Sequence, residues 1–242
     1  MAAPTRGQHF VSTGTLTTSA VTTTGGPGSV FLVLVTDGFL STTAPDNKGN
    51  NYTFLRHRID AGGTQIHRVY ACANGVGGAS HTWTVVNGSG IVSQPTVIMH
   101  EWLGCAKTGA VAELSAFLDG TGAGSRATNP VTPKVDDVVI AFGSTDSANA
   151  SCVWTWGSFT TGDTQASGAT TWAAISAYKT IASAGATSET FTFSDTASTT
   201  YTMLVRLAWR EQRMPPAGPS TRRVELADEF GPYEMTDAGG WF

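Results

Sequence analysis

The sequence is short of charged residues, of cysteine and of long apolar runs. Lys, Arg, Asp and Glu together make up 13% of its 242 residues, about half the usual share of a soluble domain. With a net charge of −4, the chain lacks the basic surface that a nucleic-acid groove or an anionic-membrane site requires. No apolar run approaches the ~20 residues that span a bilayer, and the polar segment Met1–Gly14 has no secretion-signal core. We therefore expect no nucleic-acid partner and no membrane insertion. The chain is expected either to be made and assembled inside a cell, which an intact Met1 favours, or to have lost a leader.

Cysteine is scarce, and the chain has only Cys72, Cys105 and Cys152. Because their number is odd and their spacing wide, they match neither a disulfide framework nor a zinc site. The favoured interpretation is three small, buried apolar side chains. The alternative is one disulfide, between Cys72 and Cys105. The five histidines also lack metal-ligand spacing, so the sequence predicts no metal and no cofactor.

Short segments in which apolar and polar residues alternate fill most of the chain, and turn residues separate them. This period of two is typical of β-strands. Val30–Thr36 is nearly continuous apolar, which indicates a central strand covered on both faces. The pattern predicts an all-β protein, a two-sheet antiparallel β-sandwich of jelly-roll-like type. The predicted strands are Val30–Thr36, Tyr52–Ile59, Arg68–Cys72, His81–Val86, Thr96–Leu103, Val138–Phe142, Val153–Phe159, Trp172–Thr180, Glu189–Phe193 and Tyr201–Trp209.

The strand pattern stops at about Gln212. The prolines that follow cannot continue a strand, and the residues after them mix charged and aromatic side chains. The sequence predicts a β-sandwich domain over residues 1–211 and an extended C-terminal docking arm over residues 212–242. A segment with so few core-forming residues is ordered most easily by a neighbouring molecule. The candidate assembly residues of the arm are Pro215, Pro216, Phe230, Tyr233, Trp241 and Phe242.

The two halves of the chain echo each other in one place. Gly25–Gly28 leads into the apolar run VFLVLV, and Asp136-Asp137 leads into VVIAF. We interpret the echo as the geometry of a sandwich and not as an internal repeat. Asp136-Asp137 also fits the carboxylate pair of a glycoside hydrolase, although adjacent acids before a strand more often mark a turn.

One turn offers oxygen ligands that suit Ca²⁺: Asp46, Asn47, Gly49 and Asn50. Its spacing is not that of a calcium loop, and Lys48 lies in its middle, so a turn stabilised by the Asp side chain is favoured. The run Gly120-x-Gly122-x-Gly124 resembles a phosphate-binding loop, but no Lys-Ser/Thr pair follows it. A surface loop explains this run.

Nucleophilic catalysis has no support in the sequence, which lacks a G-x-S-x-G motif. His100 and Glu101 come closest to a dyad, but neighbours in a strand point to opposite faces of a sheet. Glu101 shares its face with Val97, Met99 and Leu103, so we expect a half-buried carboxylate with a partner such as an arginine. The sequence predicts a protein that is not an enzyme.

Three tryptophans stand near one another in the second half of the chain: Trp154, Trp156 and Trp172. Packing in the core is the favoured interpretation, because large aromatic side chains dominate the interior of β-sandwiches. The alternative is a platform on which sugar rings stack, as in carbohydrate-binding sandwiches. In that case host surface glycans would be partners.

Three motifs occur in order between Val35 and Leu103. They are Asp46-x-x-Gly49-Asn50-x-Tyr52-Thr53, then Arg68-Val69-Tyr70-Ala71 with Asn74 and Gly77-Gly78, then His100-Glu101-Trp102-x-Gly104. Over residues 10–210 the sequence resembles a family of β-sandwich proteins found in bacteriophage structural regions. The composition, rich in Thr, Ala, Gly and Trp, also resembles phage minor tail and head-decoration proteins.

The resemblance implies a fold and a virion context, and it carries over no catalytic residue. The function it implies is a non-enzymatic structural component of a phage particle, either a head-decoration or a minor tail protein. Its expected partners are capsid or tail subunits and further copies of itself, and its location is the virion, assembled in the host bacterial cytoplasm. The alternative function is a carbohydrate-binding module or lectin-like sandwich that contacts cell-surface glycans.

Overall fold

The computed structural model describes residues 3–37, 41–43, 45–59, 66–87, 95–121, 124–145, 154–165, 173–194 and 199–209. These residues form eighteen β-strands, and the all-β class predicted from the sequence is confirmed. The described part of the chain holds no helix with the length and apolar character needed to cross a membrane. The strands are β1 (Thr5–Thr13), β2 (Val21–Gly25), β3 (Val30–Asp37), β4 (Ser41–Thr43), β5 (Thr53–Ile59), β6 (Ile66–Ala73), β7 (Val76–His81), β8 (Val86–Asn87), β9 (Thr96–Leu103), β10 (Val111–Leu114), β11 (Leu118–Thr121), β12 (Gly124–Ala127), β13 (Val138–Thr145), β14 (Trp154–Trp156), β15 (Thr160–Gln165), β16 (Ala174–Thr180), β17 (Thr190–Phe193) and β18 (Thr199–Leu207).

Two large antiparallel sheets form the centre of the described structure, and each comes from one half of residues 3–209. The first has the strand order β1-β9-β3-β6-β5, and the second has the order β10-β18-β13-β16-β15. Their inner faces share one hydrophobic core, to which Leu32 and Ile98 contribute from the first sheet and Ile140 and Val205 from the second. The predicted two-sheet antiparallel sandwich is confirmed. We call the interface between these two sheets the seam.

Smaller layers cover the outer faces of both sheets. Trp83 and Val85 pack against the outer face of the first sheet, and the three-stranded sheet β12-β17-β14 places Phe191 and Phe193 against the second. Every residue of the central strands β3 and β13 is therefore buried. Burial on both faces explains why these strands read as continuous apolar runs in the sequence.

The two halves share one topology. In the first half β1 pairs with β9, β9 with the central strand β3, and β3 with β6. In the second half β10 pairs with β18, β18 with the central strand β13, and β13 with β16. A strand near the start of each half also pairs with one near its end in the outer layer, as β2 with β7 and β12 with β17. Strands that return to lie beside the start of the chain are typical of jelly rolls. Each half is therefore jelly-roll-like.

The pairing registers give residue-by-residue equivalences between the halves. Val30 and Val138 are the first residues of the central strands β3 and β13. Each lies opposite a residue near the end of the last strand of its half, Val30 opposite Trp102 and Val138 opposite Leu207, so we treat the two as equivalent positions. These are the first residues of the two apolar runs that echo each other in the sequence. The two runs that echo each other therefore open equivalent strands of two sheets that share one topology.

Irregularities of pairing fall at the same places in both halves. The register of the first strand shifts between Arg6 and His9 in one half and between Val111 and Glu113 in the other. The edge strands β5 and β15 also shift at equivalent places, after Phe54 and after Thr161. A β-bulge bends its strand locally and increases the twist. Its repetition indicates that both halves bend their edge strands in the same way.

The sequence predicted about ten strands, fewer than the structure contains. The missed strands are short ones at edges and in the outer layers, such as β10, β11 and β12. These three strands are only four residues long, and all of their residues are half-exposed or exposed, so none of them forms a run of buried apolar positions. The predicted strand His81–Val86 is divided in the structure: β7 ends at His81, and Trp83 and Thr84 form isolated bridges.

Candidate functional site

Polar side chains close the seam where β1 lies beside β15. Arg6 donates to Asp163 Oδ2 at 2.7 Å, and His9 Nδ1 lies 2.7 Å from Asp163 Oδ1. From the neighbouring strands, His100 Nε2 lies 2.7 Å from Ser176 Oγ and 3.6 Å from Asp163 Oδ2. Together with Tyr178, over whose ring Arg6 lies, these residues form what we call the closed end of the seam.

The Ser176–His100 pair at the closed end is unsuited to nucleophilic catalysis. Both side chains are fully buried. A Cβ atom on Gly162 would lie 2.6 Å from Ser176 Oγ, so backbone covers the hydroxyl. Asp163 also approaches the same nitrogen that Ser176 binds, whereas in a catalytic triad the acid binds the other one. His100 Nδ1 makes no hydrogen bond to any described residue.

Burial lowers the pKa of His100 well below its ordinary value, and the positive charge of Arg6 acts in the same direction, as does that of His9. The imidazole is therefore neutral at pH 7. A neutral imidazole beside a hydroxyl forms an ordinary hydrogen bond. The hydrogen bond between His100 and Ser176 links β9 of one half to β16 of the other.

A second buried network centres on Asp46, the first residue of the predicted turn. Asp46 Oδ1 accepts from Lys48 N at 3.0 Å and from Asn50 N at 3.1 Å. Its other oxygen accepts from Tyr52 Oη at 3.0 Å and lies 2.7 Å from His81 Nε2. The prediction of a turn stabilised by the Asp side chain is confirmed. The described residues include no group of acidic, histidine or cysteine side chains that could hold a metal.

Titration properties of this network follow from burial and hydrogen bonds. Burial opposes ionisation of Asp46, but hydrogen bonds from Asn50 and His81 outweigh it and lower the pKa of Asp46. Burial lowers the pKa of His81 and raises that of Tyr52, whose hydroxyl accepts from Trp83 at 2.6 Å. His81 also bonds Thr23 at 2.7 Å through Nδ1. The side chains of Thr23, His81 and Asp46 are buried, so this chain of hydrogen bonds is a structural link and not an exposed relay.

The environment of Glu101 differs from the one predicted. The side chain is fully buried rather than half-buried, and its partners are backbone amides and not an arginine. Its Oε1 accepts from Thr24 N and Gly25 N at 2.7 Å each, and its Oε2 accepts from Gln8 N at 3.0 Å. Backbone donors carry no side-chain signature, so the sequence contained no signal for them. His100 and Glu101 do face opposite sides of the sheet, as predicted.

The acids Asp136 and Asp137 form a turn before β13. Asp136 has a positive φ of 67°, and Asp137 accepts from Lys134 N at 2.8 Å and from Arg206 Nε at 2.6 Å. Asp137 is also nearly buried. The turn interpretation is confirmed, and the carboxylate pair of a hydrolase is not formed, because Asp137 is occupied by structural donors.

Two of the three tryptophans, Trp154 and Trp156, are described, and both pack as the core interpretation predicts. Trp156 is only 7% exposed and its ring lies 5.4 Å from that of Phe191. Trp154 is partly buried and lies 4.8 Å from the ring of Phe193. A sugar platform needs exposed ring faces, so Trp156 cannot serve as one. Trp172 lies outside the described residues.

Two of the three cysteines are described, and both are free and buried. Burial raises the pKa of Cys72 to about 11 and that of Cys105 to about 12, which makes both thiols unreactive at neutral pH. The favoured interpretation is confirmed for these two, and the alternative Cys72–Cys105 disulfide is wrong. Cys152 lies outside the described residues, as do all arm candidates: Pro215, Pro216, Phe230, Tyr233, Trp241 and Phe242.

The other end of the seam is open. A cleft of about 580 Å³ lies there between the β5–β6 edge of the first sheet and β10 of the second. Alanine, valine and leucine side chains dominate its walls, and Arg56 and Glu113 are its charged members. Sequence reasoning missed it, because the run Gly109-Ala-Val-Ala and the alanines of β6 carry no recognised motif. The residues that line the cleft are Thr53, Leu55, Arg56, Ala71, Ala73, Gly109, Ala110, Val111, Ala112, Glu113 and Leu114.

The two charged residues of the cleft differ in their partners. Glu113 Oε2 already accepts from Thr132 N at 2.7 Å and lies 3.5 Å from Arg206. Arg56 forms no ion pair with a described residue and is the cation that the cleft offers to an occupant. The chain matches no family model, and no curated protein or solved structure gives a significant match to it.

Proposed function

We propose that this chain is a non-enzymatic structural component of a bacteriophage particle, a head-decoration or minor tail protein. It displays the double jelly-roll-like sandwich and attaches to a neighbouring subunit through residues 212–242. Its partners are capsid or tail subunits and further copies of itself, and its location is the virion. The phage context rests on the sequence resemblance between Val35 and Leu103.

The observation that carries the structural role is the use of buried acids within the fold. Glu101 caps three backbone amides, and Glu189 accepts from Gly157 N and Ser158 N at 2.6 and 2.7 Å. Asp46, Asp137 and Asp163 are likewise bonded to neighbouring strands or turns. An enzyme of this size would be expected to present perturbed acids or bases in a cleft. Among the described residues, the five acids named above are instead hydrogen-bonded to strands and turns within the fold.

The apolar cleft supports attachment as the mode of action. Its volume lies within the range of pockets that hold drug-sized ligands or side-chain anchors, roughly 300–1,000 Å³. Interfaces draw most of their binding energy from a few aromatic anchors in such pockets. The residues 212–242 contain four aromatic side chains, which include the adjacent Trp241 and Phe242.

The test is whether the chain is a stoichiometric part of particles. Mass spectrometry of phage particles purified from the cells that encode the chain should find it in many copies per particle. A chain that lacks Pro215–Phe242 should remain folded by circular dichroism and be absent from those particles. Absence of the full-length chain from particles would overturn the virion role. Normal incorporation of the truncated chain would overturn attachment through the arm.

A further inference from the structure

The cleft at the open end exists because particular positions differ between the two halves. The registers make Val111 equivalent to Arg6 and Leu114 equivalent to His9. They also make Ala71 equivalent to Tyr178, since Ala71 lies opposite Leu32 and Tyr178 lies opposite Ile140. Long side chains fill the closed end, whereas short apolar ones leave the open end vacant.

The chemistry of the cleft defines what it would accept. Its floor is apolar, which suits an aromatic or aliphatic side chain. Arg56, half-buried at its wall, has no ion pair with a described residue, whereas the nearby Arg58 is paired with Asp119. A guanidinium beside an apolar pocket recognises a carboxylate well, because it forms paired hydrogen bonds with both oxygens. The fitting occupant therefore combines an aromatic ring with an acidic neighbour.

One segment of this chain has that composition. Residues 224–242 contain five acidic residues and no lysine or arginine. The same residues contain four aromatic side chains, and acids stand beside two of them, as in Glu229-Phe230 and Tyr233-Glu234. The segment is thus complementary to the cleft in both charge and apolar character.

We propose that the cleft between β5, β6 and β10 binds the acidic, aromatic segment Val224–Phe242 of a second copy of this chain. An aromatic side chain of the segment enters the cleft, and a neighbouring carboxylate pairs with Arg56. This inference rests on the proposed attachment through residues 212–242 and names the receptor for that segment. Repetition of the contact from copy to copy links the chains into an oligomer.

The first experiment measures self-association of the full-length chain by sedimentation velocity. Arg56→Glu places a like charge against the acidic segment and should weaken association at least tenfold. Lys107→Glu makes the same charge change at an exposed position outside the cleft and should leave association unchanged. Equal effects of the two variants, or a wild-type chain that stays monomeric at all concentrations, would overturn the proposal.

A filling variant tests the space independently of charge. Ala112 is exposed and lines the cleft, so Ala112→Trp should occupy the cleft and weaken association to a similar degree. Ala127→Trp, on an exposed position of β12, is the matched control and should associate normally. Circular dichroism and thermal unfolding of each variant verify that the sandwich is intact. Normal association of a folded Ala112→Trp chain contradicts the proposal.

A crosslinking experiment identifies the occupant. A photoreactive amino acid at Thr53, on the wall of the cleft, is placed in the full-length chain, which is mixed with ¹⁵N-labelled wild-type chain. We expect crosslinks from unlabelled residue 53 to labelled residues 224–242. Crosslinks only within one copy, or only to other regions, would overturn the assignment to a second copy's segment.

The outcomes separate this inference from the proposed function. A chain that is present in particles and whose Arg56→Glu and Ala112→Trp variants are incorporated normally keeps the virion role and loses the cleft as receptor. A chain that is absent from particles but whose association depends on Arg56 and Ala112 keeps the receptor and loses the virion role.

Discussion

At equivalent positions of the two halves, opposite charges perform the same structural task. Glu101 on β9 accepts hydrogen bonds from Thr24 N and Gly25 N, which precede the central strand β3. Arg206 on β18 occupies the equivalent register position and donates to Asp137, which precedes the central strand β13. Both side chains fasten the last strand of a half to the turn that leads into its central strand.

The comparison shows which features the two halves share. Strand order, register and the places of the bulges are the same, whereas the side chains that hold the turns differ in sign. Strand order and register depend on the alternation of buried and exposed positions, and many sequences satisfy that requirement. A polar contact needs only a donor and an acceptor, so either member can supply the carboxylate.

The seam shows a second difference with a larger consequence. Arg6, His9 and Tyr178 close one end, and their equivalents Val111, Leu114 and Ala71 leave a cleft at the other. The same strand topology thus has polar contacts at the closed end of the seam and an apolar cleft at the open end. A few side-chain differences on one shared topology therefore separate a polar contact from an apolar cleft.

The largest loss of stability is expected when the carboxylate of Glu101, one side of the first comparison, is removed. Glu101→Leu leaves three backbone amides without their acceptor, and each unsatisfied buried donor costs about 1–3 kcal/mol. We expect the free energy of unfolding to fall by about 3 kcal/mol or more, measured by urea denaturation. Arg206→Leu should cost less, because Asp137 keeps the amides of Lys134 and Trp209 as donors. A larger loss for Arg206→Leu than for Glu101→Leu would contradict this account.

Exchanging side chains between the two ends of the seam tests the second comparison. Tyr178→Ala removes a ring that packs 5.3 Å from Trp102 and should cost about 2 kcal/mol, since large-to-small changes lose burial and leave a cavity. The reverse exchange, Ala71→Tyr, places a ring where the cleft offers space and should change stability by less than about 1 kcal/mol. Urea denaturation measures both. A strongly destabilised Ala71→Tyr chain would show that the open end is not available space.

The sequence predicted those parts of the fold that leave a local pattern. Burial on both faces made β3 and β13 continuous apolar runs, and alternation identified β9, with Val97 and Met99 on one face and Ile98 and Trp102 on the other. Asp46 was correctly assigned to a turn because its hydrogen bonds are to residues two and four positions away.

Contacts between distant segments left no such pattern. Asp163 and Arg6 are far apart in sequence, and neither lies in a motif. The partners of Glu101 are backbone amides, which every residue but proline has. The cleft depends on small side chains at Ala71 and Ala112, which gain meaning only when β6 and β10 meet. Local periodicity therefore could not predict which residues of the two halves contact each other.

A smaller effect distinguishes the halves by their response to acid. His100 lies opposite Leu32, and its equivalent in the second half is Val205, opposite Ile140. Burial holds the pKa of His100 below 6.5 in the folded chain, so the unfolded chain binds a proton first as the pH falls. The neutral imidazole therefore makes its full contribution to the free energy of unfolding above about pH 6.5. Below that pH the free energy of unfolding falls by up to about 1.4 kcal/mol per pH unit.

His100→Val, which installs the residue of the other half, should flatten this dependence. Urea midpoints at pH 7.5, 6.5 and 5.5 measure the slope, and this range stays above the titration of ordinary carboxyls. Some slope remains in the variant, because burial also lowers the pKa of His81. The variant is expected to be less stable at pH 7.5, since Ser176 keeps only its bonds to the Asp163 backbone, yet its stability should fall less on acidification. The exposed His57→Ala is the matched control for the loss of one imidazole. An unchanged slope in His100→Val would mean that the closed end does not make the first half more sensitive to acid.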